Sequence, residues 1–273
     1  MTANYQIFLV SDSTGETLDR IFLALQSQFP NFTYKTSQYA FIRTENQIDK
    51  ILSKCRNTKN SIILYSIVDS KLASFLGKET TKNKIPCFDV LGNLIISFSK
   101  LLNQEASHKA SAQHVMDAEY YKRIEAIQFT MSHDDGKKIS DLNKADIILL
   151  GVSRTSKTPT SIYLANRGYK TCNIPLIPKQ KLPENLTSNP KVSCVVGLVT
   201  EPKRLSDVRK NRINSLNENR ASSYTNLEKI ILEIEEAKEV YKKYNWPTID
   251  VTRKSVEETA ASIIKIYEIM NAK

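Results

Sequence analysis

Long hydrophobic runs are missing from this chain of 273 residues. No segment approaches the roughly 20 apolar residues that a membrane-spanning helix needs. The beginning of the chain also lacks the pattern of a signal peptide, because the apolar residues 7–10 have no basic segment before them and run directly into Ser-Asp-Ser. These absences predict a soluble, cytoplasmic protein that makes no contact with a membrane.

Cysteine is scarce, and its four positions are scattered. Cys55, Cys87, Cys172 and Cys194 show none of the close spacings that metal sites or small disulfide frameworks use. Three of them lie inside apolar runs. The sequence therefore predicts reduced thiols packed in the interior of a cytosolic protein.

Acidic residues are too few to balance the basic ones: 39 Lys and Arg face 29 Asp and Glu, for a formal charge of +10. A basic surface raises the rate of encounter with phosphates, nucleic acid or acidic protein patches. The net charge alone does not indicate which of these partners the protein binds, and a solvated basic face is the simplest interpretation.

The remaining composition supports a folded α/β protein, since 41% of the residues are apolar and can bury a core. Short apolar runs alternate with segments of helical period, the pattern of β-α-β units on a parallel sheet. A polar stretch after residue 103 suggests two domains, 1–105 and 106–273. The predicted strands are residues 5–10, 33–40, 61–68, 85–90, 146–150, 169–174, 192–200 and 248–252.

Several predicted helices have an apolar face or a capping motif that can be recognised in the sequence. Residues 18, 21, 22, 25 and 29 share one stripe, and residues 48, 51, 52 and 55 share another. Residues 120–131 fit either a helix or a strand, and Gly168 stands where a helix needs a left-handed closing residue. Capping boxes are predicted for Thr44 with Gln47, Thr225 with Glu228, and Ser255 with Glu258.

One loop has the arrangement that phosphate binding requires. The predicted strand 146–150 leads into Gly-x-x-x-x-Ser-Lys-Thr and then into a helix. Such a loop directs backbone N–H groups toward one point at a helix amino end, where the dipole also favours an anion. Lys157 would reach a phosphate, and the Thr158 hydroxyl would hold Mg²⁺. The predicted nucleotide-binding residues are Gly151, Val152, Ser153, Arg154, Thr155, Ser156, Lys157 and Thr158.

The loop departs from the usual pattern at Ser156, where a second glycine is normal. A left-handed conformation at a residue other than glycine costs roughly 1 to 2 kcal/mol. An ordinary strand-to-helix turn rich in hydroxyls is the alternative, and the Lys-Thr pair at the helix start argues against it.

Residues 151–168, Ser-Asp-Ser-Thr-Gly-Glu-Thr at 11–17 and His-Asp-Asp-Gly at 133–136 belong to a set of motifs that covers nearly the whole chain. In these motifs the chain resembles the pyruvate, phosphate dikinase regulatory protein family, which includes the phosphoenolpyruvate synthetase regulatory proteins. Arg-Ile-Glu-Ala at 123–126 and the segment from Trp246 to Ala261 extend the resemblance. Asn245 stands where a glycine is expected before Trp-Pro.

The resemblance implies a bifunctional enzyme that regulates pyruvate, phosphate dikinase. One activity is a kinase that uses ADP to phosphorylate a threonine of the target protein. The other is a phosphorylase that removes this group with inorganic phosphate and forms pyrophosphate. It also implies a P-loop kinase-like second domain that binds ADP, beside a smaller α/β first domain that helps to hold the target.

Other residues are candidates for acid-base chemistry and anion contacts. Asp134 and Asp135 are the candidate catalytic carboxylates, whereas the sequence alone favours the alternative of an Asp-Gly turn beside a surface histidine. Asp12 and Ser13 lie at a predicted strand end where α/β sheets bind ligands, with a helix cap by Ser13 or Thr14 as the alternative. Arg204 and Arg209 lie on a basic helix that either grips phosphate or forms a solvated face.

Some alternatives remain open at this stage. A regulator of phosphoenolpyruvate synthetase would use the same chemistry, and a small-molecule kinase would use the same loop. A basic module that binds nucleic acid would show strongly salt-dependent binding without phosphoryl transfer, and we do not expect this protein to bind nucleic acid. The oligomeric state also stays open, with a homodimer as one arrangement.

Overall fold

A computed structural model describes residues 4–112, 116–178, 180–187, 194–216 and 224–272. The chain divides into two compact units, Met1–Val115 and Met116–Lys273, whereas the sequence placed a boundary near residue 105. Each unit contains a four-stranded parallel sheet with helices between the strands. The predicted α/β class is confirmed.

The first unit contains a sheet in the order β2-β1-β3-β4. All four of its predicted strands are present, and two helices fill intervals to which the sequence assigned no structure. Its elements are β1 (Asn4–Ser11), α1 (Glu16–Gln26), β2 (Thr33–Tyr39), α2 (Glu45–Arg56), β3 (Ser61–Ser66), α3 (Ser70–Lys82), β4 (Cys87–Asp89) and α4 (Gly92–Leu102).

The two predicted helix faces of this unit differ in outcome. The stripe on α2 is buried throughout, and the Thr44–Gln47 capping box is present. On α1 only the first half of the stripe is buried, with Leu18 and Phe22 inside and Leu25 and Phe29 exposed. The prediction was wrong for Phe29 because the helix ends at Gln26, so the apolar spacing continues past its last turn.

The second unit repeats the strand order of the first, as β6-β5-β7-β8. Two short 3-10 turns, Asp134–Gly136 and Ile139–Lys144, connect its first helix to its central strand. Its elements are α5 (Ala118–Ser132), β5 (Ile147–Gly151), α6 (Lys157–Asn166), β6 (Thr171–Pro175), α7 (Glu184–Thr187), β7 (Cys194–Val199), α8 (Pro202–Leu216), α9 (Leu227–Lys243), β8 (Thr248–Asp250) and α10 (Val256–Asn271).

The structure of the second unit tests several local predictions. Residues 120–131 are helical, Gly168 has a φ of 87°, and the Ser255–Glu258 capping box is present. The Thr225–Glu228 box was wrong, because Asn226 caps α9 by accepting the Lys229 N–H. The strand predicted from residue 192 is described from Cys194 onward, and its first two residues lie outside the described part of the chain.

The central strand β5 positions the loop for which the sequence predicts phosphate binding. Every residue of β5 is buried, with Ile148 and Leu150 in the core on one side of the sheet and Ile147 and Leu149 in the core on the other. Because β5 lies between β6 and β7, its carboxyl end is at the switch point where open α/β sheets bind ligands. In the described part of the chain, no helix combines the length and apolar character needed to cross a membrane.

Candidate active site

The loop between β5 and α6 begins at a close approach of backbone to side chain. A Cβ atom at Gly151 would lie 2.5 Å from the Thr155 Oγ1 and 3.1 Å from the Leu198 carbonyl oxygen. The Thr155 hydroxyl donates to the Val152 carbonyl at 3.0 Å and is almost completely buried. Glycine is therefore required at position 151, where the chain leaves the sheet.

Two residues of the loop adopt the left-handed conformation. Arg154 has a φ of 72° and Ser156 a φ of 59°, and neither is a glycine. Ser156 is the N-cap of α6 and makes no side-chain capping hydrogen bond. The N–H groups of the first helical turn thus lack the side-chain acceptor that usually satisfies them, which leaves them available to an anion.

Lys157 is the first residue of α6, and its side chain is 6% exposed. Its Nζ donates to the Val152 carbonyl at 3.0 Å, so the ammonium folds back over the loop. Burial lowers the pKa of Lys157 to about 8, partly offset by the carboxylates of Asp135 and Asp134. The side chain is therefore an incompletely neutralised cation inside the loop, and an incoming phosphate would complete its pairing.

A hydrogen-bonded cluster joins this helix to the His-Asp-Asp-Gly segment. The Thr158 hydroxyl donates to Asp134 Oδ1 at 2.9 Å, and the Asn173 amide donates to the same oxygen. The Asn173 amide oxygen accepts the Asp135 N–H at 2.9 Å. Asn173 is fully buried on β6, so the sheet itself fixes the two aspartates beside the start of α6.

Asp135 differs from its neighbour in exposure and surroundings. Its backbone is left-handed, with a φ of 56°, and its side chain is exposed while Asp134 is half-buried. Asp135 lies at the edge of a cavity of about 720 Å³, a size within the roughly 300 to 1,000 Å³ of small-molecule sites. The cavity is lined mainly by apolar residues, including Ile139, Ile174, Leu176 and Leu182.

Arg209 supports the loop from α8 and does not belong to a solvated face. Its guanidinium is 1% exposed and binds Glu233 through both Nη atoms, at 2.6 and 3.3 Å. It also donates to the Ser153 carbonyl of the loop at 3.3 Å and to the Tyr224 carbonyl at 3.1 Å. Arg204 is exposed on the same helix, and the structure records no contact between it and the loop.

Asp12 and Ser13 lie in the first unit, at the carboxyl end of β1. The Asp12 carboxylate is buried and accepts the backbone N–H groups of Val68 and Asp69. The helix-cap alternative was wrong, because α1 has Gly15 as its N-cap and no side-chain capping bond. These residues therefore form a separate group within their own unit.

Sequence reasoning missed Asn173, Glu233 and Tyr224. Asn173 could have been found from its position, since a polar side chain inside the buried strand 169–174 must have hydrogen-bond partners. The Tyr224 hydroxyl lies 3.1 Å from the Ser153 hydroxyl. No local signal indicates Glu233, because its partner Arg209 stands 24 positions earlier on another helix.

The chain is similar to known proteins along most of its length. Residues 7–264 match the family model described as kinase/pyrophosphorylase. A relative from Pelagibacter ubique, named as a pyruvate, phosphate dikinase regulatory protein, is 66% identical over 98% of both chains. A relative of the same name from Bartonella tribocorum is 44% identical over 96% of this chain and 95% of its own.

The solved structures add no argument about the fold. A solute-binding protein from Agrobacterium vitis aligns with 100% of this chain and 91% of its own at 10% identity, with a TM-score of 0.26. The family match, by contrast, covers most of the chain and includes both the loop and the aspartates. The chain belongs to the kinase/pyrophosphorylase family.

Proposed function

We propose that the protein is a bifunctional regulator of pyruvate, phosphate dikinase, acting as an ADP-dependent threonine kinase and a phosphate-dependent, pyrophosphate-forming phosphorylase. The observation that carries the proposal is the contact between Thr158 and Asp134 beside the buried Lys157. It joins the anion-binding end of a helix to a pair of carboxylates, the two components that phosphoryl transfer to a hydroxyl requires. The finer description of the second unit as a P-loop kinase-like domain is part of this proposal.

In the forward reaction the ADP phosphates would lie against the first turn of α6. The uncapped N–H groups and the Lys157 ammonium would stabilise the charge on the transferring β-phosphoryl group. The threonine oxygen of the target attacks phosphorus, the bond to the α-phosphate oxygen breaks, and AMP leaves.

Asp135 is the carboxylate that we assign as general base. It is exposed at the edge of the cavity, whereas Asp134 Oδ1 already accepts from Thr158 and Asn173. A base must lie within reach of the substrate proton, and Asp135 is the aspartate of this pair that lines the cavity. We therefore expect Asp135 to take the threonine proton, and the cavity beside it to receive the segment of the target that carries the threonine.

Thr158 and Asp134 are the residues that would hold Mg²⁺. A hydroxyl and a carboxylate at hydrogen-bond distance supply the hard oxygen ligands that this ion prefers, usually alongside phosphate oxygens. When bound, the ion neutralises charge on the nucleotide phosphates. The contribution of the chain is to fix both side chains at the end of the loop through Asn173.

The phosphorylase reaction would use the same residues as the kinase reaction. Inorganic phosphate occupies the place of the leaving phosphate and attacks the phosphothreonine, so that pyrophosphate forms. The departing threonine oxygen would take a proton from Asp135, which reverses the role of this carboxylate in the kinase reaction, and the proton released by the attacking hydrogen phosphate would restore the carboxylic acid. Lys157 offsets the repulsion between the two phosphate groups.

A transfer assay tests the proposed reaction and target together. The full-length protein is incubated with Mg²⁺, ADP labelled on its β-phosphate, and either pyruvate, phosphate dikinase or phosphoenolpyruvate synthetase. We expect label on a threonine of the dikinase. When the labelled dikinase is isolated and returned to the protein with unlabelled phosphate, we expect the label to be released as pyrophosphate. Label on the synthetase alone would replace the dikinase as target and leave the chemistry intact.

A small-molecule kinase is the competing function, because nothing in the loop itself selects a protein substrate. It predicts that neither target acquires label while a metabolite does. ATP labelled on its γ-phosphate serves as the control for donor identity. Transfer from ATP without transfer from ADP would contradict the assigned donor.

A further inference from the structure

Two adjoining cavities in the second unit form a groove that begins at Asp135. The cavity of about 720 Å³ beside this aspartate shares four lining residues with a cavity of about 80 Å³ beside α9. The shared residues are Leu176, Ile177, Gln180 and Leu182. We call the two cavities together the acceptor groove, because the carboxylate assigned as general base lies at its edge.

The floor of the acceptor groove is apolar and rests on the core. Ile139, Leu176 and Leu182 are partly buried and pack against the core cluster of the second unit. Ile177 is 54% exposed and lines both cavities. Because these side chains adjoin one another in a concave surface, an apolar side chain bound there would remove further area from water.

The segment that forms this floor is held in place within the protein itself. Three of its residues are prolines, whose φ is fixed: Pro175, Pro178 and Pro183. The Leu176 N–H donates to the Gly151 carbonyl at 3.0 Å, which ties the floor to the start of the loop between β5 and α6. Further along, the Asn185 amide donates to the Ile139 carbonyl. A groove that is already formed loses little conformational entropy when a ligand binds.

The charged residues of the acceptor groove are mainly acidic, in a chain whose net charge is +10. In the described part of the chain they are Asp135, Lys181, Glu184, Glu233 and Glu236. Glu233 is paired with Arg209. Glu184 and Glu236 are exposed and form no ion pair with another described residue. The groove therefore presents more negative than positive charge to a ligand.

This charge selects between the two substrates of a kinase. The phosphates of a nucleotide are anionic, so carboxylates along the groove disfavour them, whereas a peptide segment with lysine or arginine is attracted. The position of Asp135 favours the same occupant, because a general base must face the acceptor hydroxyl. A volume of about 720 Å³ lies within the range of sites that hold ligands the size of a short peptide.

Glu236 is the carboxylate of α9 best placed to read a basic side chain. Residues 233, 236, 237 and 240 line the smaller cavity, at the spacing of one helix face. The neighbouring Glu235 is equally classed as exposed but is not part of this lining. It lies two positions from 233 and from 237, so it points away from the groove.

We propose that the acceptor groove selects the protein segment that is phosphorylated. The preferred segment has an apolar residue within two positions of its threonine, which would lie against Ile177 and Leu182, and a lysine or arginine farther along, which would pair with Glu236. The inference rests on the proposed kinase function and specifies the substrate on which it acts.

Selection from a peptide library tests this preference by binding alone. The full-length protein is immobilised and incubated, without nucleotide, with short peptides that have a central threonine and random flanking residues, and the retained peptides are sequenced. We expect apolar residues to be enriched about fivefold or more within two positions of the threonine. Lysine and arginine should be enriched about two- to fivefold at a more distant position, as for an exposed ion pair.

Two substitutions, each with a matched control, assign these preferences to the groove. Ile177→Asp should abolish the apolar preference, whereas Ile269→Asp should keep it, because Ile269 is 55% exposed on α10 and lies outside the groove. Glu236→Lys should replace the preference for lysine and arginine by one for aspartate and glutamate. Glu235→Lys changes the same charge on the same helix and should leave the selection as in wild type.

Several results would overturn the inference. They are a selection without apolar preference, an apolar preference that persists in Ile177→Asp, and the same charge preference in Glu236→Lys as in wild type. Displacement of the retained peptides by adenosine would also overturn it, because the cavity would then hold the nucleoside of the donor.

This test is independent of the proposed reaction. The library measures binding only, so the absence of phosphoryl transfer would leave a positive selection standing. Conversely, transfer from ADP to the dikinase together with an unselective library would keep the proposed function and remove this inference.

Discussion

Thr158 and Asp134 are 24 positions apart in the chain and are joined by a hydrogen bond of 2.9 Å. The contact places a carboxylate at the end of the proposed phosphate-binding loop, held there by the buried amide of Asn173. Two aspartates follow one another in this segment, yet only the first contacts the loop hydroxyl. The proposed division of labour between Asp134 and Asp135 follows from this difference.

Asp134→Asn should change the Mg²⁺ requirement. We expect the Mg²⁺ concentration for half-maximal kinase activity to rise by roughly 10- to 100-fold, because the substitution removes a negative ligand beside Thr158. Saturating Mg²⁺ should restore part of the rate. The measurement is initial rate against Mg²⁺ concentration, and an unchanged midpoint would remove Asp134 from the proposed ion site.

Asp135→Asn should act on the chemical step. We expect kcat to fall by roughly 10²- to 10⁴-fold, the usual contribution of a general base, with little change in ADP affinity. Single-turnover transfer and ADP binding measured in parallel separate the two effects. A wild-type single-turnover rate in this variant would show that Asp135 does not accept the threonine proton.

The Arg209–Glu233 pair should contribute mainly to stability and loop shape. Arg209→Met leaves the Glu233 carboxylate without its partner, and we expect a loss of about 3 to 5 kcal/mol in the free energy of unfolding. Denaturant unfolding measures it, with Arg204→Ala on the same helix as the control and an expected change below about 0.5 kcal/mol. Similar losses in both variants would contradict a special role for the buried guanidinium.

Lys157 should make ADP binding sensitive to pH. Because burial lowers its pKa to about 8, the free protein loses this positive charge as the pH rises through that value. Bound phosphates favour the charged form, so the affinity for ADP should fall by up to about tenfold per pH unit above about pH 8. Calorimetric titration of wild type and Lys157→Arg checks this, since arginine stays charged and its profile should lack this decrease.

The strands and the loop could be predicted because their signals are local. Most of the eight strands are marked by an apolar run, β2 is marked only by its threonine and tyrosine residues, which favour strands, and the loop is marked by a motif between a strand and a helix. The common strand order of the two units left no repeat of fixed period in the sequence, because different side chains can fill equivalent positions of a sheet. Topology of this kind follows from pairing between distant segments.

The contacts that support the site could not be predicted from the sequence, because they also join segments that are far apart in the chain. A run of basic residues on α8 looks like a solvated face, and only the fold reveals that Arg209 turns inward to Glu233 on α9. The α1 stripe shows the opposite error, in which a residue predicted to be buried is exposed. The apolar periodicity of the sequence continues to Phe29, beyond the end of the helix. Asn173 is the exception, because an amide inside a buried strand already signals a polar partner.

The central claim is that one loop serves both reactions, and the most direct test compares both in a single variant. Lys157→Ala and the control Lys265→Ala, an exposed lysine on α10, are assayed for transfer from ADP and for pyrophosphate release from phosphorylated dikinase. We expect Lys157→Ala to lose both activities by about 100-fold or more, and the control to keep both. Retention of either activity at the wild-type rate in Lys157→Ala would show that it belongs to another site.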